Sequence, residues 1–296
     1  MSAHRSAAGT WLGLLFAAFV LFLYGPTITI LVLSFQGPEG GLTFPLQGVS
    51  LHWYAKLFEG GGTVDIWAAF RRSLVLGGLV MAITTLVALL GGYAFRRRFR
   101  GQGVLFQLVL ASLIVPSIAI SLGIALQFRI LDDALRGWME SGTAPARLFG
   151  EDYTTAMGMF TSGLGAHLTW TLPFGILIMF AVFNRFPAEV EEAARDLGAT
   201  PWGTFRHAVL PLIAPSLVGV ALFGFTLSWD EVARSSQTMG ERNTLPLELQ
   251  GLTTTVTSPD IYALGTLTTG VSVLVIAGAF GAQALLRRRA RRRRAG

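Results

Sequence analysis

Residues 185–211 have the sequence RFPAEVEEAARDLGATPWGTFRHAVLP and form a charged island between two long apolar runs. Pro187 suits a first helical position, and Glu189 follows in the first turn, where a carboxylate favours the helix dipole. Gly198 stands where a left-handed residue ends a helix, and Thr200 is typical of the N-cap of another. This stretch, called the 185–211 module below, is therefore predicted to be a helix, a glycine break and a second helix.

The first helix of the module carries a narrow apolar stripe on an otherwise charged surface. Apolar side chains recur at helical spacing i, i+3, i+4 and i+7, at Val190, Ala193, Ala194 and Leu197. The two alanines are small enough for another surface to approach closely. The charged residues around them are suited to setting the register of a partner, and they are Glu191, Glu192, Arg195 and Asp196. The pattern predicts a surface that another protein touches.

The order Glu192-Ala193-Ala194, three residues, Gly198, and then Leu210-Pro211 resembles the EAA loop of permease subunits in binding-protein-dependent ABC importers. One position departs from that pattern, because Ala208 stands where an aliphatic residue is usual. The resemblance implies that the loop is a cytoplasmic coupling helix that docks into a cleft of an ATPase subunit. It implies ATPase-coupling roles for Glu192, Ala193, Ala194, Asp196 and Gly198. The alternative interpretation is an ordinary amphipathic connecting helix.

The composition is that of an integral membrane protein. Of 296 residues, 52% are hydrophobic and only 14% are charged, and the mean hydropathy is +0.56. The absence of cysteine excludes a disulfide framework, a thiolate zinc site and a cysteine nucleophile. The predicted fold class is all-α, a polytopic membrane protein.

Six transmembrane helices are predicted in a single transmembrane domain covering residues 1–296. Their approximate ranges are 11–33, 73–95, 104–128, 157–183, 208–229 and 262–286. A cleaved signal peptide is the alternative for the first run, but the run exceeds a typical signal-peptide core. The segments 34–72, 131–156 and 230–261 are expected to be external, and the first of them to contain a short helix at about 50–58.

The distribution of positive charge predicts the orientation. With the termini, residues 96–100 and the module on one face, that face holds 15 of the 23 Lys and Arg residues. This excess places the module and both termini in the cytoplasm. The final arginine run is expected to anchor the last helix against anionic lipid headgroups rather than to bind nucleic acid.

Motifs for catalysis are missing from the sequence. It has no Gly-x-x-x-x-Gly-Lys phosphate loop, no Gly-x-Ser-x-Gly and no His-Glu-x-x-His, and its four histidines are scattered. We therefore expect no enzyme activity, no metal and no cofactor in this chain, with ATP and Mg²⁺ bound by a partner ATPase subunit.

Candidate substrate-path residues are polar or aromatic groups near helix breaks at membrane depth. They are Ser117 after Pro116, His167 and Trp170 in the fourth helix, Trp229, Asp230 and Glu231 at the end of the fifth, and Arg234 just beyond. The alternatives are that the prolines only kink the helices, and that His167 is an interhelical hydrogen-bonding residue.

Within the importer family, the chain is similar to the C-type permease subunit of the spermidine/putrescine group. The similarity covers nearly the whole chain after the first helix. It rests on the spacing from His167 to Pro173, the EAARDLGAT loop, the FTLSWDEV stretch ending the fifth helix, and residues 244–247. The resemblance implies a bacterial inner-membrane importer with a second, homologous permease subunit, two ATPase subunits and a periplasmic solute-binding protein.

Three departures from that group concern the solute. Ser117 stands where polyamine members carry an acidic residue, Arg234 where an apolar residue is expected, and Arg72 where asparagine is common. The first two make the path less negative, and a polycation needs negative partners to replace its hydration. A zwitterionic or anionic solute, such as an amino-phosphonate, an opine or a carboxylate, is therefore the alternative to a polyamine.

Two other function classes are weighed against an importer. An ion-coupled secondary transporter would need carboxylates inside the spans, and the six predicted spans contain none in their interiors. A non-transporting membrane scaffold would leave the kinked helices and the 185–211 module unexplained.

Overall fold

A computed structural model describes residues 7–59, 65–96, 98–141, 153–255 and 259–295. Within these ranges the regular structure is helical apart from one bridge pair, Gln36 and Val49. The helices are α1 (Ala7–Leu33), α2 (His52–Glu59), α3 (Ile66–Phe95), α4 (Gln102–Ile114), α5 (Ser117–Glu140), α6 (Leu164–Asn184), α7 (Glu189–Asp196), α8 (Pro201–Thr204), α9 (Leu210–Trp229), α10 (Ser235–Thr238), α11 (Leu245–Thr255) and α12 (Asp260–Ala295). Single π-helical turns, Met159–Gly163 and Phe205–Val209, precede α6 and α9.

The predicted all-α, polytopic membrane fold is confirmed. Five helical stretches of the described chain are long and apolar enough to cross a membrane, and they are Gly9–Leu33, Ile66–Phe95, Met159–Asn184, Pro201–Trp229 and Asp260–Leu285. The pair α4 and α5 supplies a sixth if it is counted as one bent span.

The third predicted span, 104–128, is not one kinked helix. The chain breaks at Val115 and Pro116, both in extended conformation, and α4 and α5 meet at 104°. Proline lacks the N–H that a continuous helix needs, and it forces the preceding residue out of the helical region. After the break α5 continues to Glu140, so the predicted external segment 131–156 begins as helix. Residues 142–152 of that segment, like Arg97, lie outside the described residues.

Other boundaries shift without changing the order of elements. The second predicted span begins at Ile66 rather than at 73, and the sixth extends over Asp260–Ala295. The expected short helix is present as α2. The segment 230–261 contains two helices, α10 and α11, that its composition did not reveal.

The chain divides into two compact units, so the prediction of a single domain stays a prediction. The first unit comprises Met1–Trp67 and Leu249–Val271. In it, the hydroxyls of Ser34 and Tyr54 are hydrogen-bonded at 2.7 Å, and the Tyr262 hydroxyl donates to the carbonyl of Leu42. The apolar side chains of α1 are mostly exposed, as expected for a helix that faces lipid or another membrane chain.

The second unit, Ala68–Glu248 and Ser272–Gly296, contains the main core. Buried side chains from α3, α6, the π-helical turn before α9 and α9 itself form this core, and they are Ala88, Met179, Phe183, Val209, Ile213 and Val220. Helices approach closely where Gly175 faces Ala88, since a Cβ on Gly175 would lie only 2.9 Å from the alanine side chain. The Thr84 hydroxyl donates to Thr171 at 2.9 Å across the same contact. Small residues and interhelical hydrogen bonds of this kind hold membrane helices together.

Candidate functional site

The 185–211 module folds as its sequence predicts, with one shift at its start. Its first helix, α7, begins at Glu189. The turn that leads into it from Pro187 has hydrogen bonds between residues three apart, from the Val190 N–H to the carbonyl of Pro187 and from the Glu191 N–H to that of Ala188. Gly198 has φ +84°, a left-handed conformation that side-chain-bearing residues rarely adopt. The Thr200 side chain accepts a hydrogen bond from the Gly203 N–H at 3.1 Å and caps α8.

The predicted coupling residues lie on a face that this chain leaves uncovered. Glu192, Ala193, Asp196 and Gly198 are exposed, and Ala194 is half-buried. Leu197, the residue that directly follows α7, is 90% exposed, although large aliphatic side chains are usually buried. Of the four residues of the apolar stripe, Ala193 and Leu197 are therefore available to a partner, whereas Val190 and Ala194 are half-buried by the chain itself.

Glu191 is the residue of this helix that the chain itself buries, and the sequence interpretation assigned it only a role in partner register. Its side chain is 5% exposed and pairs with Arg96 at 2.5 Å and with Arg195 at 2.9 Å. The pair with Arg195 could be predicted from the sequence, because oppositely charged residues four apart on a helix are neighbours. Arg96 is distant in sequence, so no local pattern could have found it.

Four of the predicted substrate-path residues meet in one buried cluster centred on Arg234. The Arg234 guanidinium donates to a carboxylate oxygen of Glu231 at 2.8 Å and to the Ser117 hydroxyl at 3.1 Å. Its carbon lies 4.8 Å from the centre of the Trp170 ring, and its Nε donates to Thr169 at 3.3 Å. We call these five residues the Arg234 cluster.

The charges of the Arg234 cluster compensate each other. The side chains of Arg234 and Glu231 are 3% and 8% exposed, and the second carboxylate oxygen of Glu231 accepts the Arg234 backbone N–H at 3.0 Å. A buried guanidinium is tolerated when it is paired and hydrogen-bonded in this way. The break at Pro116 is what positions Ser117, the first residue of α5, to join the cluster.

His167 is fully buried and joins three elements by hydrogen bonds. Its Nδ1 lies 2.8 Å from the Ser228 hydroxyl, and its Nε2 lies 3.0 Å from the Ser235 hydroxyl. Because Ser235 donates its own proton to the carbonyl of Glu231, its oxygen must accept from Nε2–H of the imidazole. Nε2 therefore carries a proton in this arrangement, and Nδ1 shares a hydrogen bond with Ser228.

The other two predicted path residues occupy contrasting positions. Trp229 is buried, stacked on Phe225 at 5.6 Å and edge-on to Phe70 at 5.9 Å, so it packs in the interior. Asp230 follows the last residue of α9 and is exposed, and partial desolvation raises the pKa of its carboxyl. Among the described residues no cationic side chain pairs with it.

Apolar helices of membrane-spanning length, a proline-broken span and an uncovered charged module between two spans define a polytopic membrane protein. Residues 84–292 match the family model described as "Binding-protein-dependent transport system inner membrane component". The chain belongs to this family, and is therefore a permease subunit of a binding-protein-dependent importer.

Two curated relatives are similar over most of their length. The chain is 27% identical over 261 residues to the spermidine/putrescine transport system permease protein PotC of Escherichia coli strain K12, covering 88% of each chain. It is 28% identical over 257 residues to the putrescine transport system permease protein PotI of the same strain, covering 86% of this chain and 84% of the relative.

A solved structure shares the fold at low sequence identity. It is a chain of the bacterial alginate ABC transporter in complex with an alginate pentasaccharide-bound periplasmic protein. The TM-score is 0.66 at 14% identity, and the match covers 96% of this chain and 95% of the other. The similarity supports the permease fold and carries nothing about the solute.

Proposed function

We propose that this chain is the C-type permease subunit of an ATP-driven polyamine importer, with α7 docking into an ATPase subunit. The observation that carries the proposal is the uncovered face of α7. In a member of the importer family, Glu192 and Ala193 on this short helix and Leu197 directly after it are exposed, where a partner could cover them. A leucine left 90% exposed at the end of a charged helix is suited to a protein interface.

The proposed complex contains a second permease chain homologous to this one, two ATPase subunits and an external solute-binding protein. The alginate transporter that shares the fold was captured with its periplasmic protein, which supports that kind of partner. The excess of Lys and Arg supports a cytoplasmic position for the module and both termini. ATP hydrolysis then occurs on the separate ATPase subunits.

In the proposed mechanism, ATP-driven closure of the ATPase dimer moves α7 as a rigid lever. Gly198 marks the point at which this lever joins α8, and the chain continues through the π-helical turn into α9. Movement of α7 would therefore reach α9 along the backbone. The helices then rock to open the path first toward the binding protein and, after hydrolysis, toward the cytoplasm.

The proposed solute class is a polyamine, as in the names of the two relatives. Arg234 was, with Ser117, one of the two sequence arguments for an anionic solute, but its guanidinium already has Glu231, Ser117 and Trp170 as partners. It is therefore not a free cation that could attract a carboxylate or phosphonate. The exposed carboxylate of Asp230 offers a negative group to an ammonium instead.

The experiment that tests this function is ATP hydrolysis by the complex purified with this chain, in lipid, with its binding protein. The solutes would be spermidine, putrescine, an amino-phosphonate and a small dicarboxylate. We expect stimulation by a polyamine and none by the anionic solutes. Stimulation by the anionic solutes alone would refute the solute class, and the absence of any ATPase from the purified complex would refute the assignment of the module.

Asp230→Asn is expected to raise the polyamine concentration needed for half-maximal stimulation by about tenfold. A hydrogen bond to a charged group contributes about 1.5–3 kcal/mol, which corresponds to roughly tenfold or more. Because the pKa of Asp230 is raised, the wild-type response should also weaken in acid at a higher pH than an ordinary aspartate would predict. The concentration dependence of ATPase stimulation at several pH values measures both effects.

Glu241→Gln, in the same segment and exposed, is the matched control for Asp230→Asn and should leave the half-maximal concentration unchanged. An equal shift in both variants would mean that the loss of negative charge in general, rather than a contact of Asp230, is responsible.

A further inference from the structure

Glu191 differs from the other acidic residues of the first turn of α7. Glu189 and Glu192 are exposed, whereas the Glu191 side chain is 5% exposed. Each of its carboxylate oxygens forms an ion pair with a different arginine, Oε1 with Arg96 at 2.5 Å and Oε2 with Arg195 at 2.9 Å. Glu191 is therefore used within the chain and is not part of the surface presented to a partner.

Arg96 connects this carboxylate to the ends of two membrane helices. It follows Phe95, the last residue of α3, and its guanidinium carbon lies 4.9 Å from the centre of the Tyr93 ring on the same helix. The Phe183 ring near the end of α6 contacts the Tyr93 ring, and its centre lies 5.8 Å from the same guanidinium carbon. An arginine held by aromatic faces and by a carboxylate keeps a defined position.

The Tyr93 ring packs edge-on against Phe183 and Phe205, but this aromatic packing leaves space open beside α7. A cavity of about 140 Å³ lies there, lined by Tyr93, Glu191, Arg195, Pro201, Thr204, Phe205 and Val209. Glu191 stands in the wall of this cavity, so its ion pair with Arg96 is a polar contact beside a space that side-chain packing leaves open. A buried ion pair between oppositely charged groups is a stronger contact than a neutral one, which suits it to couple the positions of Glu191 and Arg96.

We propose that the Glu191–Arg96 ion pair is the link that transmits movement of α7 to the ends of α3 and α6. This inference rests on the proposed function of α7 as the coupling helix. The backbone already joins α7 to α6 and α9, but α3 is distant in sequence, and the ion pair reaches it directly. Both residues are positioning residues, and neither is part of the proposed ATPase-docking surface.

The first test compares single substitutions in the whole complex. Glu191→Gln and Arg96→Gln are expected to assemble with the ATPase and to keep its basal rate, while the ratio of solute-stimulated to basal hydrolysis falls roughly tenfold. Arg96→Lys keeps the charge at the same place and should retain most of the stimulation. Glu189→Gln removes an exposed charge from the same turn and should behave as wild type.

The second test uses the absence of cysteine from the chain. The double variant Arg96→Cys, Glu191→Cys should be uncoupled like the single variants. Joining the two thiols with a short bifunctional methanethiosulfonate should restore stimulation, because the tether replaces the ion pair. A variant that is merely misfolded would not be rescued by a tether.

The outcomes separate this link from the function on which it rests. If the wild-type complex is not stimulated by any solute, the proposed function fails. If the wild type is stimulated and Glu191→Gln is stimulated equally, the link fails alone. The link also fails if the glutamine variants do not assemble and Arg96→Lys restores assembly without restoring stimulation. It fails as well if the tether does not restore stimulation. In either case the ion pair has only a structural role.

Discussion

Ala193→Arg is expected to abolish solute-stimulated ATP hydrolysis while leaving the protein in the membrane. Ala193 is exposed at the centre of the uncovered face of α7, so a long charged side chain there meets the partner rather than the core of this chain. Disrupting a central interface position costs about 2–4 kcal/mol, which is roughly 30-fold to 1000-fold in affinity. Hydrolysis by the purified complex, with and without polyamine, measures the effect.

Ala188→Arg is the matched control for Ala193→Arg, because it adds the same side chain at an exposed position just before α7 begins. It should retain stimulation. Gly198→Pro should uncouple as well, since proline cannot adopt the φ of +84° that ends α7. If Ala193→Arg is stimulated as well as Ala188→Arg, the assignment of this face to the ATPase is wrong.

Arg234→Leu is expected to destabilise the protein by about 3–5 kcal/mol. The substitution removes the guanidinium and leaves Glu231, which is 8% exposed, as a buried carboxylate without its cation. It also removes the donors to Ser117 and Thr169, which connect the start of α5 with α6. The change is measured by heating the detergent-purified chain and monitoring the loss of its monodisperse peak in size-exclusion chromatography.

A second substitution distinguishes the buried charge from other causes. Arg234→Leu combined with Glu231→Gln should recover most of the lost stability, because neither buried charge then remains unpaired. Arg242→Leu removes an exposed arginine from the same segment and should change stability by less than about 0.5 kcal/mol. If Arg234→Leu is no less stable than Arg242→Leu, the compensation inferred for the Arg234 cluster is wrong.

The sequence by itself determined those features of this protein that depend on residues close together along the chain. The 185–211 module was predicted with its glycine break and its Thr200 cap, because these depend on a few adjacent backbone groups. Five of the six predicted spans followed from their length and composition, and the sixth is present only if α4 and α5 are counted as one bent span. The family followed from short motifs with a defined spacing.

Contacts between distant residues were decided only by the tertiary structure. Ser117 and Arg234 were recognised as two departures from a family pattern, but their hydrogen bond depends on how α5 leaves the break at Pro116. The burial of Glu191 depends on Arg96, nearly a hundred positions earlier in the chain. Local sequence patterns predict helices, caps and spans because residues close together along the chain determine them. The pairing of buried charges instead depends on where packing places helices that are distant in sequence.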